Sequence, residues 1–168
     1  MRTRNFLLIA TLGAGWVSAL VGCASREPVV VPEFRAVSSQ PAQLQRFTRD
    51  ELLLGEAIFA RGPGTDLALR FSKGPAQMIE VLRVDDVWYA SGKLAWRPWS
   101  GDINQAPARL YGWMVLLSAY DVAPKQPEGE STRRSGDDWS AYLRLDGRLV
   151  GISTRSRGEN FRVRFGDD

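Results

Sequence analysis

Short segments in which apolar and polar residues alternate recur between residue 65 and the C-terminus. The segments DLALRF at 66–71 and FRVRF at 161–165 are two examples. A period of two is typical of β-strands that bury one face. Asp146 and Gly147 separate two further segments of this kind, and Asp-Gly in that position is a strong signal for a β-hairpin. The C-terminal part is therefore predicted to be an antiparallel sheet.

A longer alternating segment, VWYASGKLAW at 87–96, carries four apolar residues on one predicted face: Trp88, Ala90, Leu94 and Trp96. Gly92 lies on the same face, where it fits either a bend or bulge in the strand or a plain packing defect. The segment AQMIEVLRV at 76–84 precedes it, and Asp85-Asp86 is predicted to form the turn between the two strands.

Two segments show helical spacing instead. In the first, Ser39 or Gln40 is placed near an N-cap, Pro41 in the first turn and Gly55 beyond the end, with Leu44, Phe47 and Leu52 on about one side. In the second, Pro107 and Pro124 flank a segment with five apolar residues at helical spacing: Leu110, Trp113, Met114, Leu117 and Tyr120.

These patterns together predict an α+β fold. We expect an antiparallel sheet of about seven or eight strands with two helices, of which the second fills or plugs a curved sheet. With 168 residues, of which 44% are hydrophobic, the chain is long enough for one domain with a substantial core.

The N-terminus has the pattern of a bacterial export signal. Arg2 and Arg4 precede an apolar run that is too short and too interrupted by glycine to span a membrane comfortably, so residues 1–22 are predicted to be a cleaved signal peptide. The stretch LVGC that follows contains Cys23, the single cysteine of the chain. A lone cysteine can also be a small buried apolar residue.

LVGC resembles the lipobox of bacterial lipoproteins. The resemblance implies that the Cys23 thiol carries a diacylglycerol and that its new amino group is acylated, for example with palmitate. Ala24, in place of the aspartate that signals retention in the inner membrane, implies an outer-membrane protein that faces the periplasm. Residues 23–38, with Pro28 and Pro32, are then predicted to be the lipidated cysteine and an extended tether, and residues 39–168 a single periplasmic domain.

The composition excludes several kinds of chemistry. The chain has no histidine, and its one cysteine is assigned to lipid, which excludes Ser-His-Asp and Cys-His catalysis and removes the usual ligands of zinc, copper and haem. Catalysis by carboxylates alone stays open, but the paired aspartates lie beside turns or at the chain end. We therefore predict no catalytic residue, no metal, no cofactor and no enzymatic activity.

The net charge gives no reason to expect a nucleic-acid partner. The formal charge is +3, and Arg2 and Arg4 contribute two of those charges without any acidic residue before Cys23, which leaves +1 for the rest. A nearly neutral domain lacks the basic surface that nucleic-acid binding requires.

The aromatic and apolar residues of the predicted strand and second helix are candidates for ligand binding. Such residues fit either a packed core or the wall of an apolar cavity. The candidates are Trp88, Leu94, Trp96, Leu110, Trp113 and Leu117.

The series of strand-like segments, the lid-like ARLYGWMVLLSAY and the closing LRLDGRLVGISTRSRGENFRVRF resemble the LolA/LolB group of periplasmic lipoprotein carriers and receptors. The resemblance implies a curved antiparallel sheet that forms an incomplete barrel, with two helices packed on its concave face over an apolar cavity, and a role in lipoprotein or lipid localisation. No residue here corresponds to the protruding apolar loop residue of the outer-membrane receptor in that group.

Two functions are therefore considered. The first is an outer-membrane-anchored lipoprotein that binds an apolar or lipidic ligand. The alternative is a structural or pilot-type lipoprotein that docks a protein partner during assembly of envelope machinery. An enclosed cavity of hundreds of cubic ångströms favours the first, and a filled core with an exposed apolar patch favours the second.

Overall fold

Alternating residues account for most of the secondary structure in the computed structural model, which describes residues 28–125 and 133–166. These residues form ten strands and one α-helix. The strands are β1 (Ser38–Phe47), β2 (Leu52–Arg61), β3 (Leu67–Lys73), β4 (Ala76–Val84), β5 (Val87–Ser91), β6 (Trp99–Gly101), β7 (Arg133–Ser135), β8 (Trp139–Leu143), β9 (Leu149–Ser156) and β10 (Glu159–Phe165). The helix, α1, spans Ala108–Val122, between β6 and β7.

All ten strands belong to one antiparallel sheet in the order β6-β5-β4-β3-β2-β1-β10-β9-β8-β7. The sheet is open, because its two end strands, β6 and β7, do not pair with each other. β1 lies between β2 and β10, so the first and last strands meet at the centre of the sheet. The prediction of an antiparallel sheet is confirmed, with ten strands in place of seven or eight.

The prediction of a helix at residues 39–54 is wrong. This segment forms β1, a turn at 48–51 and the start of β2. In the turn, the Thr48 amide donates to the Glu51 carbonyl at 2.9 Å, and the Glu51 amide donates to Thr48 Oγ1 at 3.0 Å. Pro41 is tolerated in β1 because pairing with β10 begins only at Ala42, so its missing N–H lies where the strand has one neighbour.

The predicted hairpins agree with the structure. Asp85 and Asp86 both have positive φ, 50° and 62°, as a type I′ turn between β4 and β5 requires. Gly147 has a φ of 80° in the turn between β8 and β9, where the Arg148 amide donates to Asp146 Oδ1 at 2.9 Å. The prediction of a strand through Trp96 is wrong, because β5 ends at Ser91.

Gly92 explains the early end of β5. Its φ of 106° turns the backbone out of the strand, and a short 3-10 turn, Lys93–Ala95, follows. A side chain on Gly92 would lie only 2.8 Å from the Met78 carbonyl oxygen. Glycine at this position therefore marks a bend.

α1 is the predicted second helix, and it is confirmed between Pro107 and Pro124. It is apolar on nearly all sides, which is typical of a helix that is covered by other parts of a protein. It contacts β3 and β4 on one side of the sheet centre and β8, β9 and β10 on the other. We call the face of the sheet that carries α1 the inner face and the opposite face the outer face. The predicted first helix is absent from the inner face in the described part of the chain.

Gly55 illustrates how tightly the inner face is packed. It lies on β2 opposite Leu44, and a β-carbon there would overlap the Ser72 carbonyl oxygen and approach the Phe71 ring to 2.7 Å. Only glycine lets the aromatic ring of Phe71 cross the strand at this point.

Residues 28–37 form no helix or strand but contact the outer face. Val31 and Phe34 pack against a small apolar cluster made by Ala60, Ala68 and Leu82. These three residues lie side by side on β2, β3 and β4. The part of the predicted tether after residue 30 is thus in contact with the domain.

Candidate functional sites

The inner face holds an aromatic cluster centred on Trp113 of α1. The Trp113 ring lies with its centroid 5.3 Å from that of Phe71 on β3 and 4.9 Å from that of Phe161 on β10. Trp113 has no solvent exposure, and its indole N–H has no hydrogen-bond partner among the described residues. Farther along α1, Tyr120 contacts Phe59 and Phe165. The space between α1 and the sheet is filled by these side chains.

The structure brings five of the six predicted ligand-binding residues into the core. Leu110, Trp113 and Leu117 are buried on α1, and Trp88 is buried on β5. Leu94 is partly buried and packs against the same core from the 3-10 turn.

Trp96 does not join these five residues. Its side chain is 83% exposed, and the Arg109 guanidinium lies over it at 4.9 Å from the ring centroid. The bend at Gly92 explains this, because the chain leaves β5 before it reaches Trp96. That these six residues bind a ligand stays a prediction.

A buried ion pair lies on the inner face beside Trp113. Arg46 Nη2 on β1 donates to Glu159 Oε1 on β10, and the two side chains are only 11% and 10% exposed. The Arg46 guanidinium also lies 5.9 Å from the Trp113 ring centroid. Arg46 Nε and Glu159 Oε2 have no hydrogen-bond partner among the described residues. A charged pair in this environment is stable only while both members are present.

The same part of α1 comes very close to β10. At Gly112, a β-carbon would lie 2.6 Å from Glu159 Oε2 and 2.8 Å from the Phe161 ring. The helix therefore needs glycine at this point to reach the ion pair.

A second ionic cluster holds the C-terminal end of α1. Asp121 accepts from Arg61 on β2 and from Arg83 on β4, each at 2.8 Å. Arg61 also donates to the Tyr120 carbonyl at 3.0 Å and lies over the Tyr120 ring. Burial raises the pKa of Tyr120 above its usual value, and Arg61 opposes that rise. Both arginines face the negative end of the helix dipole, so the cluster fixes α1 on the sheet.

The outer face carries a row of exposed apolar side chains at the centre of the sheet. Leu52, Leu54 and Ile58 on β2 point to this face, and we call them the outer stripe. They are 51%, 49% and 46% exposed. Leu52 and Leu54 are neighbours on this face, and Glu56 separates them from Ile58. Exposed apolar surface on a central strand is of the kind that marks interaction sites.

A groove of about 580 Å³ lies at the end of the outer stripe, across β1, β2 and β10. Ile58 and Pro41 are paired residues on its floor, and Arg164 contributes a positive charge. Its lining consists of Pro41, Ala42, Gln43, Glu56, Ala57, Ile58, Arg164, Phe165 and Gly166. The groove is open to solvent, mostly apolar, and has one charge of each sign.

A second groove, of about 680 Å³, lies farther along the outer face toward β8. Arg155, Arg162 and Trp139 are among its lining residues, as are Asp137 and Asp138. Arg162 lies over the Phe47 ring at 5.4 Å. This second groove is more polar than the first, so it is the weaker candidate for an apolar ligand.

The outer stripe and its groove were missed in the sequence because their leucines fell within the predicted helix. A signal was present: three consecutive leucines, 52–54, must place two on one face of a strand and one on the other. A strand with apolar residues on both faces has either two covered faces or an exposed apolar patch.

No family model matches the sequence, and no curated protein matches it. Within residues 28–125 and 133–166, no helix is long and apolar enough to cross a membrane, and no cluster of three or more acidic or cysteine side chains could hold a metal ion. Cys23 and the predicted signal peptide lie outside these residues.

Proposed function

We propose that the protein is an outer-membrane lipoprotein, anchored through acylated Cys23 and facing the periplasm, that binds an apolar or lipidic ligand in the groove of the outer face. The observation that carries the proposal is the exposed apolar groove at Ile58 and Pro41, next to Arg164. Apolar walls with a small number of polar groups are typical of ligand sites. Arg164 in the lining suits a ligand with an anionic head, and Glu56 is the opposing charge in the same groove.

The filled interior counts against the enclosed cavity expected for a ligand-binding lipoprotein, so we place the proposed ligand in the outer groove instead. Trp113, Leu110 and Leu117 are buried at 0% exposure, so an acyl chain could enter between α1 and the sheet only if α1 moved away. Such a movement would separate Asp121 from both of its arginines. The groove on the outer face requires neither change.

We also propose that the sheet is curved into an incomplete barrel, as in the LolA/LolB group. Phe71 on β3 and Phe161 on β10 are three strand spacings apart, which is about 14 Å in a flat sheet. Both rings nevertheless contact the same indole of Trp113, at 5.3 and 4.9 Å between centroids. Convergence of side chains from separated strands supports an inner face that is concave.

A second candidate function is a pilot-type adaptor that docks a protein partner. The filled core together with the outer stripe, which extends beyond the groove to Leu52 and Leu54, favours it. A partner for this surface would present an apolar ridge, with acidic side chains opposite Arg162 and Arg164 of β10.

The Ile58→Asp variant tests the proposed groove. We expect it to weaken the binding of a fatty-acid fluorophore to the periplasmic chain, residues 24–168, by about tenfold or more, because it replaces buried aliphatic contact in the complex with a charge. Its stability should change little, since Ile58 is 46% exposed. The measurement is a fluorescence titration at low and high salt.

Leu145→Asp is the matched control, because Leu145 is 96% exposed and lies away from the groove lining. It should bind the fluorophore like the unchanged chain. If the unchanged chain does not bind the probe, or if Ile58→Asp binds it as well as Leu145→Asp does, the proposed groove is wrong. Binding that depends only weakly on salt would indicate apolar contact, and a steep dependence would indicate head-group binding by the arginines.

A further inference from the structure

We infer that the outer face of the sheet rests on an anionic lipid surface, namely the membrane that carries the acylated cysteine. The inference depends on the proposed lipid anchor and adds an orientation and a contact surface to it. It is drawn from where the N-terminal segment meets the sheet, from the outer stripe, and from the arginines of β10.

The N-terminal segment places the anchor on the side of the outer face. Val31 and Phe34 pack on that face, against Ala60 and Leu82. Only eight residue steps separate Cys23 from Val31, so this connection reaches about 26 Å when fully extended. The described chain therefore joins the domain on its outer face, and a connection of this length favours contact between that face and the lipid.

The outer stripe supplies apolar groups for such a contact. Val31 and Phe34 cover the end of β2 near Ala60, whereas Ile58, Leu54 and Leu52 farther along the strand stay about half exposed. Aliphatic side chains on a surface that faces a bilayer can enter the boundary between head groups and acyl chains.

The arginines supply complementary charge. Arg162 and Arg164 are exposed on the outer face of β10, one strand beyond β1, and therefore lie beside the outer stripe. On the other side of the stripe, Arg70 forms an ion pair with Glu80. Glu56, between Leu54 and Ile58, contributes one negative charge. Arg162 and Arg164 contribute two positive charges, so this part of the face keeps an excess of positive charge. Arginines near a bilayer surface are attracted by anionic lipid.

The test uses the full acylated chain purified from outer membranes and reconstituted in vesicles. With Cys23 acylated, Leu54→Cys introduces one free thiol on the outer stripe for a polarity-sensitive fluorophore. Val122→Cys is the matched control, because Val122 is 42% exposed but lies at the end of α1, on the inner side. The vesicles contain phosphatidylcholine alone or with phosphatidylglycerol, and some contain brominated lipid as a quencher.

We expect the label at residue 54 to shift to shorter wavelength and to be quenched by brominated lipid in vesicles with phosphatidylglycerol, while the label at residue 122 stays in water. Replacing Arg162 and Arg164 by glutamine should lower the ratio of molecules whose outer face contacts lipid to molecules whose outer face is in water, by about fivefold per arginine. Equal signals at the two positions would overturn the inference, and so would shielding of residue 54 only after envelope proteins are added.

Failure of the anchor itself is recognised separately. The intact mass of the purified chain, measured before labelling, should include the acyl groups, and the chain should float with the vesicles. A chain without acyl mass would contradict the proposed lipoprotein, whereas an acylated chain with residue 54 in water would contradict only the orientation.

Discussion

We expect Trp113→Ala to lower the free energy of unfolding by about 3–5 kcal/mol. The Trp113 ring is fully buried and contacts Phe71 and Phe161, which come from strands on the two sides of the sheet centre. Its removal leaves a cavity at the point where α1 joins these strands. Urea denaturation of the chain comprising residues 24–168, followed by circular dichroism, measures the loss.

Trp96→Ala is the matched control for this variant. Trp96 is 83% exposed, and its main contact is the Arg109 guanidinium, so the expected loss is at most about 1 kcal/mol. If Trp113→Ala were as stable as Trp96→Ala, the ring would not be part of a packed core. An unchanged stability together with lost ligand binding would instead make Trp113 a cavity residue.

The second large effect is expected for Glu159→Ala, which should destabilise the protein by about 3 kcal/mol. The variant leaves the Arg46 guanidinium buried beside Trp113 without its carboxylate. The carboxylate of Glu51, 3.8 Å from Arg46 and largely exposed, offsets part of the loss, so the lower end of the range for broken buried pairs applies. The measurement is again the free energy of unfolding in urea.

The double variant Arg46→Met, Glu159→Leu separates the cost of an unpaired charge from loss of packing. Because it removes both charges and keeps apolar volume, it should regain most of the stability lost in Glu159→Ala. A double variant as unstable as the single one would show that the ion pair is not the cause.

Local pattern was sufficient to predict much of this fold. Alternation located the strands of the C-terminal hairpins, the Asp-Gly turn located one of their reversals, and helical spacing between two prolines located α1. In these segments most buried positions hold apolar residues, with Thr154, Ser156 and Glu159 as exceptions, so the period is visible in the sequence.

The pattern failed where buried positions hold other residues. On β1 the inner position after Leu44 is Arg46, whose partner Glu159 lies 113 residues away in the chain. On β2 an inner position is Gly55, which is needed for the approach of Phe71. Arg46 and Gly55 interrupt the alternation of apolar and polar residues that marks a strand. The remaining apolar residues then match the spacing of a helix. The candidate site on the outer face was lost with them.

The claim that the outer face is the binding surface is tested most directly by methyl nuclear magnetic resonance of residues 24–168 during titration with a short-chain phosphatidylglycerol. Two groups of methyls report the two faces. Leu52, Leu54 and Ile58 report the outer face, and Leu110, Leu116 and Leu117 report the interior. The account predicts saturable shifts of the first group with little change in the second. Shifts confined to the α1 leucines would place the ligand between helix and sheet and would contradict it.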